Sequence, residues 1–182
     1  MPQEPNLTRL SSETMYESRV FRVHRDRVRL PGGLTVTREV VEHPGAVVMV
    51  PILDGGRVLM VRQFRYAAQE TLLELPAGTL KRGEDPREAA QRELQEEVGY
   101  RAGRLTHLTS FYSAPGFCTE LLHLYLAEEL TPSKLDGDED EDIEVEVLPI
   151  GTALERAIGG GLRDAKTLAG LFLAAAHLGV LR

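Results

Sequence analysis

The chain has 182 residues, of which 42% are apolar and 27% charged, and its formal net charge is −7. This balance is typical of a soluble globular protein and argues against a groove that binds nucleic acid through phosphate contacts. The single cysteine, Cys118, excludes an internal disulfide and favours a reducing cytoplasm. The N-terminus lacks the segments of a signal peptide, and no apolar run approaches the roughly 18 residues of a membrane span. We therefore expect a cytoplasmic protein that binds neither nucleic acid nor a membrane.

Residues 1–45 are predicted to form an N-terminal arm and two strands. The first 14 or so residues are polar and favour a loose arm. Two extended runs rich in Val, Thr and Arg follow between Tyr16 and Glu42, and Pro31-Gly32-Gly33 separates them as a turn. Five arginines fit a solvated strand face or, for one or two of them, contact with a phosphate-bearing ligand or a partner subunit: Arg19, Arg22, Arg25, Arg27 and Arg29.

Residues 46–182 alternate apolar strands with helices, which predicts an α/β sandwich around a mixed sheet. Residues 46–53 form a continuous apolar run typical of a buried strand, and Asp54-Gly55-Gly56 turns the chain into a second strand over 58–61. Further strands are predicted at 71–75, 105–112, 121–127 and 143–150, with a short helix that opens in a capping box at Thr152 and a last helix over 164–178.

The best-marked element is a helix over residues 86–98. Asp85 is the expected N-cap, Pro86 occupies the first helical position, and Glu88 has capping-box spacing with Asp85. Gly99 is placed to end the helix in a left-handed conformation. A narrow apolar face for the core repeats at every fourth residue: Ala90, Leu94 and Val98.

The same helix carries three carboxylates on one face of its last turns, at Glu93, Glu96 and Glu97. In an α-helix, at about 100° per residue, Glu93 and Glu97 lie about 40° apart. The helix dipole disfavours negative charge at this end, and Glu84 can fold back onto the same face. A divalent cation such as Mg²⁺ or Mn²⁺ would relieve the repulsion, since such ions prefer carboxylate oxygens. A solvated acidic helix with an Arg92–Glu96 ion pair explains the spacing equally well.

The longer pattern resembles the Nudix box at every fixed position. Gly78 is followed after five residues by Glu84 and, after seven more, by Arg92-Glu93-Leu94-x-Glu96-Glu97-x-Gly99-Tyr100, where Tyr100 replaces a commoner aliphatic residue. The resemblance extends over most of the chain. It implies a Nudix α/β/α sandwich with an N-terminal β-strand extension. It also implies hydrolysis of a nucleoside diphosphate linked to another moiety.

The resemblance also implies roles for individual residues. Glu93 and Glu97 are expected to ligate divalent metal, and Arg92 to orient the glutamates. Two or three Mg²⁺ ions, for which Mn²⁺ could substitute, would neutralise the pyrophosphate and lower the pKa of the attacking water. Glu97 and Arg92 therefore count as catalytic, and the expected ligands and their supports are the Ala77 carbonyl, Glu84, Glu93, Glu96 and Glu97.

Three features outside the box resemble the ADP-ribose pyrophosphatases of that family. The approach to the box reads Arg62-Gln63-Phe64-Arg65-Tyr66 and then Glu74-Leu75-Pro76-Ala77-Gly78. Pro115 stands where those enzymes carry a marker proline, and the N-terminal strands resemble an extension that forms an intertwined homodimer. Arg65 would bind the diphosphate as a fork-shaped donor, or lie on the surface of an edge strand. Glu120 would contact ribose or simply flank a strand.

The acidic loop between Thr131 and Asp142 is a further candidate site. It lacks the sixth-position glycine and the twelfth-position glutamate of a calcium-binding EF-hand, so that motif is excluded. In the resembling enzymes a Glu-x-Glu-Asp-Ile segment supplies the general base and an extra metal ligand. That alignment assigns the base to Glu139 and the ligand to Glu141, although the sequence leaves the reverse order open. A solvated acidic loop is the alternative.

The sequence thus predicts an Mg²⁺-dependent hydrolase that cleaves ADP-ribose into AMP and ribose 5-phosphate and forms a homodimer. In this interpretation residues 1–45 serve dimerisation and substrate contacts, and residues 46–182 form the hydrolase domain. One alternative is a related pyrophosphatase for another conjugate, such as a nucleotide sugar or a dinucleotide. Another is a ligand-sensing module without catalysis, which would be expected to lack box glutamates.

Overall fold

The structure is a computed structural model in which residues 6–137 and 142–181 are described. These residues divide into two compact units. The N-terminal unit contains the residues up to Gly45 together with Tyr112–Leu121, and the main unit contains Ala46–Phe111 and the residues from Leu122 onwards. The predicted loop residues Glu139 and Glu141 lie outside the described residues, so their roles stay predictions.

The N-terminal unit contains an antiparallel sheet of three strands in the order β1-β2-β3. The strands predicted between Tyr16 and Glu42 are confirmed as β2 (Arg22–Arg29) and β3 (Thr35–Glu42). The loose arm predicted for the first 14 residues is wrong from Thr8 onwards, because β1 spans Thr8–Glu17 and pairs with β2 along its length. Every residue of β1 is exposed, so its sequence shows no apolar alternation, and backbone pairing alone marks it as a strand.

Two of the arginines in this unit pair with glutamates on the same sheet. Arg22 Nη2 lies 2.7 Å from Glu17 Oε1, and Arg22 Nη1 lies 3.6 Å from Glu42 Oε2. Arg25 Nε donates to Glu39 Oε1 at 3.3 Å. These exposed ion pairs match the solvated strand face expected from the sequence. Each such pair contributes little stability, because water screens it.

The main unit contains the mixed sheet that the sequence predicts, and this sheet has seven strands. Its path is β10-β5-β4-β9-β8, with β6 paired to β5 and β7 to β4. Strand β4 is parallel to β9 and antiparallel to both β5 and β7. The strands span Ala46–Leu53 (β4), Arg57–Arg65 (β5), Glu70–Glu74 (β6), Ala77–Thr79 (β7), Tyr100–Tyr112 (β8), Leu121–Pro132 (β9) and Ile143–Pro149 (β10). The short β7 was not predicted, and β9 runs into the segment predicted as an acidic loop.

Helices cover both faces of this sheet and confirm the α/β/α sandwich. Helix α1 spans Pro86–Glu93 and continues as a π-helical turn over Leu94–Val98, α2 spans Ile150–Ile158, and α3 spans Ala165–His177. Strand β4 is apolar throughout because it is buried on both faces. Val47 and Met49 pack with the α1 side, whereas Val48 and Val50 pack with α2 and α3.

The helix ends explain which boundaries could be read from the sequence. Asp85 caps α1 as predicted, since its Oδ1 accepts hydrogen bonds from the backbone N–H groups of Arg87 and Glu88. The capping box predicted at Thr152 is wrong. Helix α2 begins at Ile150, directly after β10, where the burial of Ile150 fixes its start. Across residues 6–137 and 142–181, no helix is long and apolar enough to cross a membrane.

Candidate active site

The box helix changes its winding where its carboxylates are densest. The sequence predicts an α-helix over 86–98, but Leu94–Val98 forms a π turn in which the Gly99 N–H donates to the Leu94 carbonyl. Gly99 has a φ of 74°, as predicted for the residue that ends the helix. A π turn is wider than an α turn, so the 40° offset calculated for Glu93 and Glu97 does not apply. Such turns occur frequently at functional sites.

Gly78 is required by the close approach of Glu93. The Glu93 side chain is nearly buried and lies directly over the backbone of β7. A Cβ added to Gly78 would stand 1.9 Å from the Glu93 Cδ and 2.1 Å from its Oε1. Real atoms never approach so closely, so any side chain here would displace the Glu93 carboxylate. This contact explains why the first residue of the box is a glycine.

Arg92 gathers three box glutamates around one guanidinium group, and we call Glu84, Arg92, Glu93 and Glu96 the box cluster. Arg92 Nε and Nη2 donate to the two Glu84 carboxylate oxygens at 3.0 and 3.1 Å. Arg92 Nη1 donates to Glu93 Oε1 at 2.6 Å and to Glu96 Oε2 at 2.7 Å. Arg92 therefore contacts three box glutamates at once, and the orienting role that the resemblance implies for it stays a prediction.

Arg92 and Glu84 shift each other's pKa values toward the charged forms. Burial alone would lower the pKa of Arg92, but the hydrogen bond to Glu84, followed by the contacts with Glu93 and Glu96, outweighs burial and raises that pKa. The hydrogen bond from Arg92 in turn lowers the pKa of Glu84. Arg92 and Glu84 thus stabilise each other's charged form, and three carboxylates contact one guanidinium group.

Glu97 ties the π turn to the strand that precedes the box. Its Oε2 accepts a hydrogen bond from the backbone N–H of Ala77 at 3.2 Å. Ala77 and Gly78 belong to the short strand β7, which pairs with β4 at Val47 and Val48. Glu97 and Glu93 therefore both contact β7, at Ala77 and Gly78 respectively, and their sharing of a metal ion stays a prediction.

The donor chemistry at this edge suits a hard divalent cation. Glu93, Glu97 and the Ala77 carbonyl offer only oxygen, which Mg²⁺ and Mn²⁺ prefer. Arg92 engages both oxygens of Glu84, whose Oε2 also accepts from the Lys81 N–H at 2.8 Å, so both Glu84 oxygens already have partners. Within the described residues, no three His, Cys, Asp or Glu side chains are already arranged as a metal cage. The residues fit a metal, provided that further oxygen ligands join Glu93 and Glu97.

Arg65 belongs to a second ionic group, and we call Arg65, Glu74, Asp164 and Lys166 the Glu74 cluster. Arg65 Nε and Nη2 donate to the two Glu74 carboxylate oxygens at 2.8 and 2.7 Å. Lys166 donates to Glu74 and, at 2.9 Å, to Asp164. The Glu74 side chain is only 1% exposed, so it lies beneath both cations. Sequence reasoning missed Glu74 and Lys166 as functional candidates, because no sequence signal shows that these two charges are buried together.

The pKa of Arg65 depends on carboxylates of both the Glu74 cluster and the box. The hydrogen bond to Glu74 raises the pKa of Arg65 in spite of burial, and Asp164 and Glu97 add smaller contributions. Burial would raise the pKa of Glu74, but Arg65 and Lys166 outweigh it and hold that pKa below its usual value. Arg65 is thus paired with Glu74 and interacts electrostatically with Glu97. Its binding of the diphosphate stays a prediction.

The two remaining substrate-binding candidates lie in the N-terminal unit. Glu120 is part-buried, and its Oε1 lies 3.7 Å from His43 Nδ1. Pro115 is exposed in the turn that precedes Phe117 and Cys118. Their predicted contacts with substrate stay predictions. The structure therefore brings together Ala77, Glu84, Arg92, Glu93, Glu96 and Glu97, with Arg65 as an electrostatic neighbour.

Comparison with known proteins agrees with this geometry. The NUDIX domain model matches residues 42–169, and the model for the nucleoside diphosphate sugar hydrolase N-terminal domain matches residues 8–41. The chain is 42% identical to the ADP-ribose pyrophosphatase of Bacillus subtilis (strain 168), over 87% of this chain and 86% of that protein. It is 40% identical to the ADP-ribose pyrophosphatase of Mycobacterium tuberculosis (strain ATCC 25618 / H37Rv), over 92% and 83% respectively.

A solved structure titled as an ADP compounds hydrolase covers 98% of this chain and 96% of its own, with a TM-score of 0.85 and 30% sequence identity. The sandwich fold and the complete box together indicate that the protein is a hydrolase. The matches make this specific: the chain belongs to the NUDIX family of hydrolases. Nudix hydrolases generally require a divalent metal.

Proposed function

We propose that this protein hydrolyses the pyrophosphate bond of ADP-ribose to give AMP and ribose 5-phosphate. The observation that carries the proposal is the complete box, in which Arg92 gathers Glu84, Glu93 and Glu96 beside Gly78. The substrate is supported by relatives at 42% and 40% identity that are named ADP-ribose pyrophosphatases and that this chain covers over most of their length. A ligand-sensing module would have no need for this intact set of glutamates.

In the reaction a water oxygen forms a bond to one phosphorus while the bridging P–O bond breaks, so catalysis consists of positioning and charge stabilisation. Glu93, Glu97 and the Ala77 carbonyl would hold divalent metal, with Mg²⁺ as the proposed ion. The metal supplies charge neutralisation and a lower pKa for the water. Arg92 keeps the carboxylates in place, and Arg65 is proposed to bind the diphosphate. Glu139 or Glu141 would take the proton released by the attacking water.

The proposed partner of the N-terminal unit is a second copy of this chain. Strand β1 is exposed along its whole length, and the unit exposes several large apolar side chains that a partner would cover: Leu7, Leu10, Met15, Tyr16, Val20, Phe21 and Leu34. We propose that residues 1–45 serve dimerisation and substrate contacts, and residues 46–182 the chemistry. A cytoplasmic setting fits the single cysteine.

A second candidate substrate is a nucleotide sugar. It is favoured by one observation, the match of residues 8–41 to the N-terminal domain of nucleoside diphosphate sugar hydrolases. The box chemistry would be the same, because the bond that breaks is again a pyrophosphate. The moiety beyond the second phosphate differs, and the base can differ too, so the two candidates are separated by substrate preference.

A panel of nucleoside diphosphate conjugates with Mg²⁺ separates these candidates. Initial rates and products are measured for ADP-ribose, a nucleotide sugar and a dinucleotide, with chromatography to identify AMP and ribose 5-phosphate. We expect ADP-ribose to have the highest kcat/KM. A clear preference for the nucleotide sugar would transfer the assignment to the second candidate, and an absence of hydrolysis across the panel would contradict both.

A further inference from the structure

The Glu74 cluster contains a carboxylate whose position is unusual for a surface strand. Glu74 ends β6 and is only 1% exposed, yet it accepts hydrogen bonds from two cations that are themselves more exposed. A buried carboxylate is stable only when it is paired and its oxygens are hydrogen-bonded, and here both oxygens are used. The chain thus maintains a buried ionic group a few residues before the box.

The pairing fixes how Arg65 presents its guanidinium group. The group is planar, and its Nε–Nη2 edge faces Glu74 in a side-on, two-bond arrangement. The Nη1 end therefore points away from Glu74. The Arg65 side chain is 40% exposed, and Nη1 is the end that would meet an anionic ligand, because Glu74 takes the other edge. Its charge also reaches Glu97, which lies at the metal edge of the box.

A separate set of bonds holds Glu74 itself. Lys166 bridges Glu74 to Asp164, the residue that caps α3. Asp164 Oδ2 accepts from the Thr167 hydroxyl at 2.6 Å, and that hydroxyl accepts from the Leu75 N–H at 2.8 Å. The first turn of α3 is thus fastened to both Glu74 and the residue that follows it. Such support keeps a binding side chain in one geometry.

From this arrangement we propose that Glu74 is a positioning residue that aims Arg65 at the diphosphate of the substrate, with Lys166 and the first turn of α3 restraining Glu74. The inference rests on the proposed function, in which Arg65 binds that diphosphate. Glu74 acts on the reaction only through Arg65. A purely structural ion pair between β5 and β6 would instead affect folding and leave turnover of the folded protein unchanged.

The test is a double-mutant cycle on kcat and KM, with Glu74→Gln, Arg65→Lys and the double variant. It uses the best substrate of the conjugate panel, at a temperature where every variant is folded. Glu74→Gln keeps the shape but removes the charge, so we expect kcat/KM to fall about tenfold, mostly through KM, as for the loss of one charge-assisted hydrogen bond. The double variant should match Arg65→Lys within about twofold, because Glu74 has no other route to the substrate.

Glu70 provides a matched control on the same strand. It lies at the other end of β6 and pairs with Arg163 at 2.7 Å, but that pair is exposed. Glu70→Gln is expected to leave kcat/KM within about twofold of the natural protein. If Glu74→Gln does not fold, Glu74→Asp replaces it in the same cycle, since it keeps the charge but shortens the reach to Arg65.

The outcomes are distinct. A fall in kcat/KM in Glu74→Gln, together with a double variant that matches Arg65→Lys, supports the positioning role. Turnover by Glu74→Gln equal to that of Glu70→Gln, or losses that simply add in the double variant, would overturn it. If the natural protein hydrolyses no conjugate of the panel, it is the proposed function that fails.

Discussion

The main unit contains two ionic groups of opposite design. In the box cluster one arginine faces three glutamates, so the group has a formal charge of −2 and lies beside a further carboxylate, Glu97. In the Glu74 cluster two cations face two carboxylates, and the formal charges cancel. The first group needs an added cation to balance its charge, whereas the second is complete without one. This difference in charge is why we propose that metal binds at the first group and that the second group orients a side chain.

The largest effect is expected when the metal edge loses one charge. Glu97→Gln removes a proposed metal ligand, while its amide oxygen can still accept from the Ala77 N–H. We expect kcat to fall by at least about 100-fold, with little change in thermal stability, since loss even of a residue that supports a ligand costs about 10–100-fold. Steady-state kinetics and a melting curve measure the two quantities. Near-natural turnover would contradict the assignment of Glu97 as a metal ligand. It would also contradict the proposed difference between the two ionic groups.

A smaller effect is expected when the box cluster is distorted without a change of charge. Gly78→Ala places a methyl group where the Glu93 carboxylate lies, so the Glu93 carboxylate must leave its position. We expect an activity loss of about 10–100-fold, of the size seen when a metal ligand is misplaced. Gly151→Ala is the control, because its added Cβ meets no atom within 4 Å. Equal activity in the two variants would show that the position of the Glu93 carboxylate does not limit activity.

The smallest effect is a pH dependence of stability that belongs to the Glu74 cluster. The folded-state pKa of Glu74 is lowered, so its ionised pairing adds stability above the unfolded pKa of about 4.3. This contribution is lost as the pH falls through the lower folded-state pKa. The free energy of unfolding of the natural protein should therefore exceed that of Glu74→Gln at pH 7, and the gap should narrow toward pH 3. A gap that does not change with pH would mean that charge is not what Glu74 contributes.

The fold could largely be predicted because its core elements carry strong local patterns. The apolar run of β4, its glycine turn into β5, and the cap at Asp85 each have a direct physical signal. Strand β1 has no such signal, since it is exposed on both faces and is held by backbone bonds to β2. The start of α2 was also misjudged. The capping pattern at Thr152 is a local signal, whereas the helix begins two residues earlier at Ile150, which is buried.

The site was predictable only where its residues share one continuous motif. Gly78, Arg92 and Glu93 stand at fixed spacings, and the structure supplies the contacts that explain them. Glu74 and Lys166 are 92 residues apart, so their meeting depends on the docking of α3, which no local pattern encodes. The π turn was missed as well, because LQEEV has no feature that separates it from an α-helical turn.

Removal and return of divalent metal test the central claim most directly. The rate of ADP-ribose hydrolysis is measured before chelation, after chelation and after Mg²⁺ is restored, for the natural protein and for Glu97→Gln. We expect chelation to abolish hydrolysis by the natural protein and Mg²⁺ to restore it. Glu97→Gln should stay nearly inactive throughout. Hydrolysis that survives chelation unchanged would contradict the account.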